Sequence, residues 1–126
     1  MAEVAGAVRT VVVLADDLIW STRLSDAIAA AGARPRRARR LADLAALLGT
    51  RADGIGLAIV DLTARAYDGV EAIRVATSAG ARVVAVGQHD DAALRLAALA
   101  AGAERVFTYR ALFEDGPRTL AAWLSR

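Results

Sequence analysis

Leu57-Ala58-Ile59-Val60-Asp61-Leu62 is the stretch on which the fold turns. Four consecutive apolar residues, apolar on both faces, read as a strand buried on two sides rather than one. The strand runs straight into a carboxylate, Asp61. Outward from it, Thr10-Val11-Val12-Val13-Leu14 has the same character and leads through Ala15 to Asp16 and Asp17. Arg82 to Val86 is a third such run, and Arg105 to Thr108 a shorter one. Arg34 to Ala38 makes a poor strand, polar and carrying Pro35, and belongs at a sheet edge.

Helical periodicity fills the gaps. Trp20 to Ala31 reads as a helix closed by Gly32. Leu41 to Leu48 places Leu41, Leu44, Leu47 and Leu48 on one face and ends at Gly49. Val70 to Ser78 is helical, with Gly80 beyond it. Asp90 is expected to cap a helix over Asp91 to Ala101, stopped by Gly102. Pro117, at a first-turn position, is expected to open the last helix. Repeated strand–helix alternation predicts a parallel sheet covered by helices on both faces. No linker, repeat or low-complexity tract intervenes, so residues 1–126 read as one domain with a flexible N-terminus over 1–8. Its ends at Met1 and Arg126 permit a standalone form.

Composition narrows the function classes. A chain of 126 residues, 56% of them hydrophobic, can bury one proper core and is not disordered. The absence of cysteine removes disulfides, thiolate metal sites and cysteine nucleophiles together. Two Phe, two Tyr and two Trp give no aromatic platform for single-stranded nucleic acid. All sixteen basic residues are arginine, so no mechanism that needs a lysine is available. The N-terminal apolar stretch is interrupted by Arg9 and ends at Asp16-Asp17, which suits neither a signal peptide nor a membrane span. A cytoplasmic protein without membrane attachment is expected.

In parallel sheets of this kind, ligands bind beyond the carboxyl ends of the strands. Asp16, Asp17 and Asp61 fall at two such ends and predict a shared cleft. The ordinary alternative is that each carboxylate caps a loop or a helix.

At this point the residues resemble the receiver domain of two-component response regulators. Leu57 to Leu62, followed by Asp68-Gly69-Val70-Glu71, is similar to that family's phosphoacceptor strand, loop and third helix. Val83 to Asp91 resembles its fourth strand and loop, and Ala100-Ala101-Gly102-Ala103 its turn into the fifth strand. The resemblance covers nearly the whole chain. It implies a doubly wound, flavodoxin-like sheet of five parallel strands in the order 2-1-3-4-5. It further implies that Asp61 is the phosphoacceptor and that Asp16 contacts a divalent cation, Mg2+. The second acid position falls on Ala15 if helix length to Gly32 sets the register, or on the pair Asp16-Asp17 after a one-residue slip. The backbone carbonyl of Thr63 completes the implied metal ligands Asp16, Asp17 and Asp61.

The departures are sharper than the matches. Gly87 stands where the family has a hydroxyl, Tyr109 where it has a lysine, Arg110 where a proline follows, and Val106 where an aromatic switch residue lies. A cation about 4 Å from a phosphoryl charge contributes roughly 4 kcal/mol at an effective dielectric of about 20. A phenol offers one hydrogen bond, worth about 1 kcal/mol net. Tyr109 therefore does not replace the lysine. Arg65, in the loop after Asp61, is a candidate substitute cation, although a solvated loop arginine is the commoner role.

The resemblance thus implies an atypical, pseudo-receiver module that is not an enzyme, requires no cofactor and acts through protein partners. Homodimerisation is implied through a face that includes Arg95, Tyr109, Arg110 and the segment from Pro117 to Arg126. Two alternatives stand beside it. One is a slow but working phosphoacceptor, using self-catalysed phosphoryl transfer to Asp61 with Mg2+. The other is a small-molecule sensor using space opened by Gly87. The run Arg34, Arg36, Arg37, Arg39 and Arg40 is a candidate polyanion contact, but a net charge of +2 and its edge position favour protection of the sheet edge; nucleic acid is not an expected partner. His89 is expected in solvent, and Trp20 and Trp123 as packing anchors. Gly54-Ile55-Gly56 precedes a strand rather than opening a helix and is not a phosphate loop.

Overall fold

The computed structural model describes residues 8–50 and 56–126. The strands are β1 (Thr10–Leu14), β2 (Arg34–Ala38), β3 (Leu57–Asp61), β4 (Arg82–Gly87) and β5 (Val106–Thr108). The helices are α1 (Leu18–Ala30), α2 (Leu41–Thr50), α3 (Gly69–Ser78), α4 (Ala92–Ala101) and α5 (Tyr109–Leu124). All strand pairs are parallel, in the order β2-β1-β3-β4-β5, as expected. No helix among the described residues is long and apolar enough to cross a membrane. Apart from Val8, the expectation for residues 1–8 lies outside the described residues, as does most of Gly54-Ile55-Gly56.

Side chains alternate across the sheet and fill two separate cores. Val12, Leu14, Ala58, Val60, Val83 and Ala85 face the layer of α2, α3 and α4, packing with Leu44, Leu48 and Ile73. Val11, Val13, Ile59, Val84 and Val86 face α1 and α5, packing with Leu24, Ile28, Leu120 and Trp123. Burial of each large aliphatic side chain stabilises by roughly 1.5–3 kcal/mol, which is why the three central strands carry almost nothing else.

At the edge, Arg34 donates its backbone N–H to Arg9 O, and Ala38 O accepts from Ala15 N. Even-numbered positions of β2 therefore serve the ladder, and Pro35 lacks its N–H on the open side, where no ladder bond is lost. The arginine run is also divided. Arg37 reaches Ser25 Oγ of α1 at 3.1 Å, whereas Arg34 and Arg36 alternate to the face that Ala38 shares with α2. It does not form a single stripe.

Helix starts differ from expectation: α1 begins at Leu18 rather than Trp20 and α3 at Gly69 rather than Val70. Asp91, not Asp90, caps α4, accepting from Leu94 N at 3.0 Å. The last helix begins at Tyr109 rather than Pro117, because Thr108 Oγ1 accepts from Ala111 N at 3.0 Å and caps it earlier. Asp115, at φ −152° and ψ 47°, breaks α5 just before Pro117, so proline restarts the helix instead of opening it. At Gly116 a Cβ would lie 3.2 Å from Ala27 Cβ, so glycine lets α5 approach α1 closely.

Candidate functional site

The carboxyl ends of β1 and β3 lie side by side, and Tyr67 locks them together. Its hydroxyl is 2.9 Å from Leu14 O and 2.7 Å from Asp61 O. Burial, with the charges of Asp61 and Asp16 adding to it, pushes this phenol well above its usual range, so it remains a donor. Tyr67 was not singled out from the sequence. A lone aromatic residue in the loop between Asp61 and Asp68 was the available signal.

Asp61 ends β3 with only 2% of its surface exposed. Its Oδ1 accepts from Thr63 N at 3.1 Å and from Thr63 Oγ1 at 3.1 Å. The Tyr109 hydroxyl, from the first turn of α5, donates to the same oxygen and also contacts Thr63 Oγ1. Burial raises the Tyr109 pKa, and the bond to Asp61 raises it further, so a neutral phenol holds the carboxylate at ordinary pH. The Tyr109 ring packs against Trp20 with centroids 4.6 Å apart and planes tilted by 48°. Trp20, partly buried against the core of α1 and α5, is also a wall of the site, and Trp123, 2% exposed, is the anchor expected.

The other acids diverge. Asp16 Oδ2 accepts from the backbone amides of Arg65 at 2.8 Å and Ala66 at 2.9 Å, pinning the loop after β3. Asp17 caps α1, accepting from Trp20 N at 3.1 Å. Ala15 is buried and continues the ladder by donating to Ala38 O. Asp17 at the cap and Asp16 on the loop amides leave the two acids with different partners. Among the described residues, no three His, Cys, Asp or Glu side chains group as a metal ion would need. The expected ligand set of Asp16, Asp17, Asp61 and Thr63 is thus divided: Asp17 caps a helix, one oxygen each of Asp16 and Asp61 is already bonded, and no third acid completes the group among the described residues.

These residues line an open cleft of about 690 Å³. Asp61 and Thr63 lie in it, Trp20 and Tyr109 wall it, and Asp16, Asp17, Arg65 and Gln88 complete its lining. The Arg65 guanidinium is exposed and bonds none of the three acids. Gly87 is buried, and a Cβ there would stand 3.3 Å from Leu62 Cδ1. Leu62 packs against the glycine, and the open volume lies over Asp61, the residue near which the sensor reading expects space.

Of the face expected for dimerisation, Arg110, Pro117, Arg118 and Arg126 are exposed. Tyr109 turns inward to Asp61. Arg95 donates to Val106 O at 3.4 Å, and Arg110 pairs with Glu114 at 3.0 Å on the surface. Leu120, Trp123 and Leu124 of the expected segment are buried in this chain's own core. Leu96 and Leu99 are the apolar residues that α4 exposes. His89 is exposed, as expected.

No family model matches the chain, and no curated protein matches it in sequence. Solved structures do match in shape. The receiver domain of the TMAO respiratory system response regulator TorR superposes with a TM-score of 0.79 at 17% identity, over 94% of this chain and 98% of that one. A response regulator from Thermotoga maritima gives 0.76 at 18% identity, over 94% and 99%. A Burkholderia pseudomallei response regulator, solved with a phosphorylated aspartic acid, a calcium ion and citrate, gives 0.70 at 18% identity, over 93% and 71%. At such identities the likeness speaks for architecture. The chain has the fold of the response-regulator receiver domains.

Proposed function

We propose that this chain is an atypical receiver module of two-component signalling, a non-enzymatic cytoplasmic protein that acts through protein contacts rather than through an aspartyl-phosphate switch. The carrying observation is the Tyr109 hydroxyl on Asp61 Oδ1, where the receiver resemblance implies a cation. A phosphoryl group arriving at Asp61 meets a neutral donor, with no hydroxyl side chain at Gly87 and no three-acid metal group beside it. Charge developing on the phosphoryl oxygens is then left without the electrostatic support that dominates such transfers.

The test is intact mass after incubation with acetyl phosphate and Mg2+. Unmodified protein is expected to gain nothing, whereas Tyr109→Lys, which restores a cation, gains one phosphoryl group that Asp61→Asn abolishes. A phosphorylated parent chain would sink the proposal. A partner other than a second copy is favoured, because Tyr109 of the expected dimer face bonds Asp61 and Arg110 pairs with Glu114 within the chain. Light scattering is expected to give a monomer.

One observation favours the alternative of a slow phosphoacceptor. Asp61 Oδ2 has no hydrogen-bond partner among the described residues, and Asp61 lines the open cleft. The Burkholderia response regulator of similar fold, solved with a phosphorylated aspartic acid, supports this reading. The same mass measurement separates the two.

A further inference from the structure

Basic residues outnumber acidic ones in this chain, sixteen to fourteen. Arg74, Arg82, Arg110, Arg118 and Arg126 each stand within ion-pairing distance of a carboxylate. The acids of the cleft are different. Among the described residues, Asp16, Asp17 and Asp61 have no guanidinium partner at all. Asp61 is the sharpest case, since it is 2% exposed and yet held only by neutral donors on one oxygen. Its other oxygen accepts nothing from the described residues, and the side chain lines the cleft. A carboxylate this buried is ordinarily matched by a counter-charge.

The cleft also has an aromatic wall, formed by the tilted rings of Trp20 and Tyr109. Carboxylates opposite an aromatic surface are the two elements that recognise organic cations: charge-assisted hydrogen bonds hold the head, and the ring attracts the charge and covers the apolar stem. A bare metal ion uses neither the wall nor this divided donor set.

We infer that the cleft binds an organic cation, a guanidinium or alkylammonium group whose head bonds Asp61 Oδ2 and whose stem lies along Trp20. Asp16 and Asp17 supply further attraction from the same cleft. The inference rests on the proposal that Asp61 works unphosphorylated. The group comes either from a free small molecule or from an arginine or lysine side chain of a protein.

Calorimetric titration of the full chain with agmatine, putrescine, the peptide Gly-Arg-Gly and magnesium chloride tests it, with indole resonances followed in parallel. Saturable binding is expected for at least one organic probe, weakened about tenfold in Asp61→Asn and less in Asp16→Asn. The Trp20 indole signal should move while that of Trp123 stays. Binding of agmatine or putrescine points to a free metabolite; binding of the peptide alone points to a protein side chain; either supports the inference. It is overturned if only magnesium binds, if no probe binds, or if Asp61→Asn and Trp20→Leu, both folded by thermal melting, bind as the parent does. Acetyl phosphate treatment of the same sample keeps the two ideas apart. An acyl-phosphate on Asp61 defeats the unphosphorylated reading whatever the cations do, and silent titrations without acyl-phosphate defeat only the cation site.

Discussion

Asp61 and Glu104 lie at opposite ends of the sheet and solve the same problem in opposite ways. Glu104, before β5, keeps a quarter of its side chain in solvent and is gripped by Arg82 at 2.9 and 3.0 Å, with Arg126 at 3.6 Å. Asp61 is almost wholly buried and has only a phenol, a hydroxyl and an amide. The less buried acid has the cations. Glu104 is thus arranged for stability, its pKa drawn down chiefly by the hydrogen bond from Arg82. Asp61 has neutral donors alone among the described residues, and it faces the open cleft.

The largest effect should come from Arg82→Ala. It removes the ion pair, the hydrogen bonds to Trp123 O and Arg126 O, and the contact with the Trp123 ring at 5.7 Å. A loss of about 2 kcal/mol in urea denaturation is expected at neutral pH. Because the folded-state pKa of Glu104 is lowered, the ion-pair part is present above its usual value and fades as pH falls through the lowered one. The gap between parent and variant should therefore narrow below about pH 4.

Asp61→Asn tests the contrast by sign. An amide oxygen can still accept from Tyr109 and Thr63, but no buried charge remains. A gain of about 1 kcal/mol is expected, and a loss would erase the distinction from Glu104. Glu104→Gln should lose about the same amount.

Tyr109→Phe leaves Asp61 with its two bonds from Thr63 and should cost about 0.5–1 kcal/mol. The folded pKa of Tyr109 is raised, so its contribution is complete below the usual phenol value of about 10 and disappears as pH climbs through the raised value. Tyr67 is shifted the same way. Ultraviolet titration of the native chain should show almost no tyrosinate at about pH 10, where a free tyrosine is half ionised. The smallest effect belongs to Arg110→Ala, which breaks an exposed pair with Glu114 and should stay within about 0.5 kcal/mol.

The buried runs of β1, β3 and β4, the edge character of β2 and the acids at the strand ends could all be read along the chain, because burial on both faces and glycine or proline punctuation are local patterns. They were enough for the sheet order once the receiver resemblance was seen. Reading Asp61 with Gly87 and Tyr109 as one site was also within reach, since strand ends in a parallel sheet share an edge. The start of α5 was not, because Pro117 is a louder signal than Thr108. The resemblance places Tyr109 both at the lysine position of the site and on the dimer face, and its hydroxyl bond to Asp61 lies in the site.

What remained for the folded chain to settle was partnership across distance. Tyr109 meets Asp61 across 48 positions of sequence, and Asp16 meets the amides of Arg65 and Ala66 across 49 and 50. Which acid caps a helix, which pins a loop and which stays buried without a cation depends on where the strand ends converge. A hydrogen bond is decided within a few tenths of an ångström, and residue type and spacing do not carry that information.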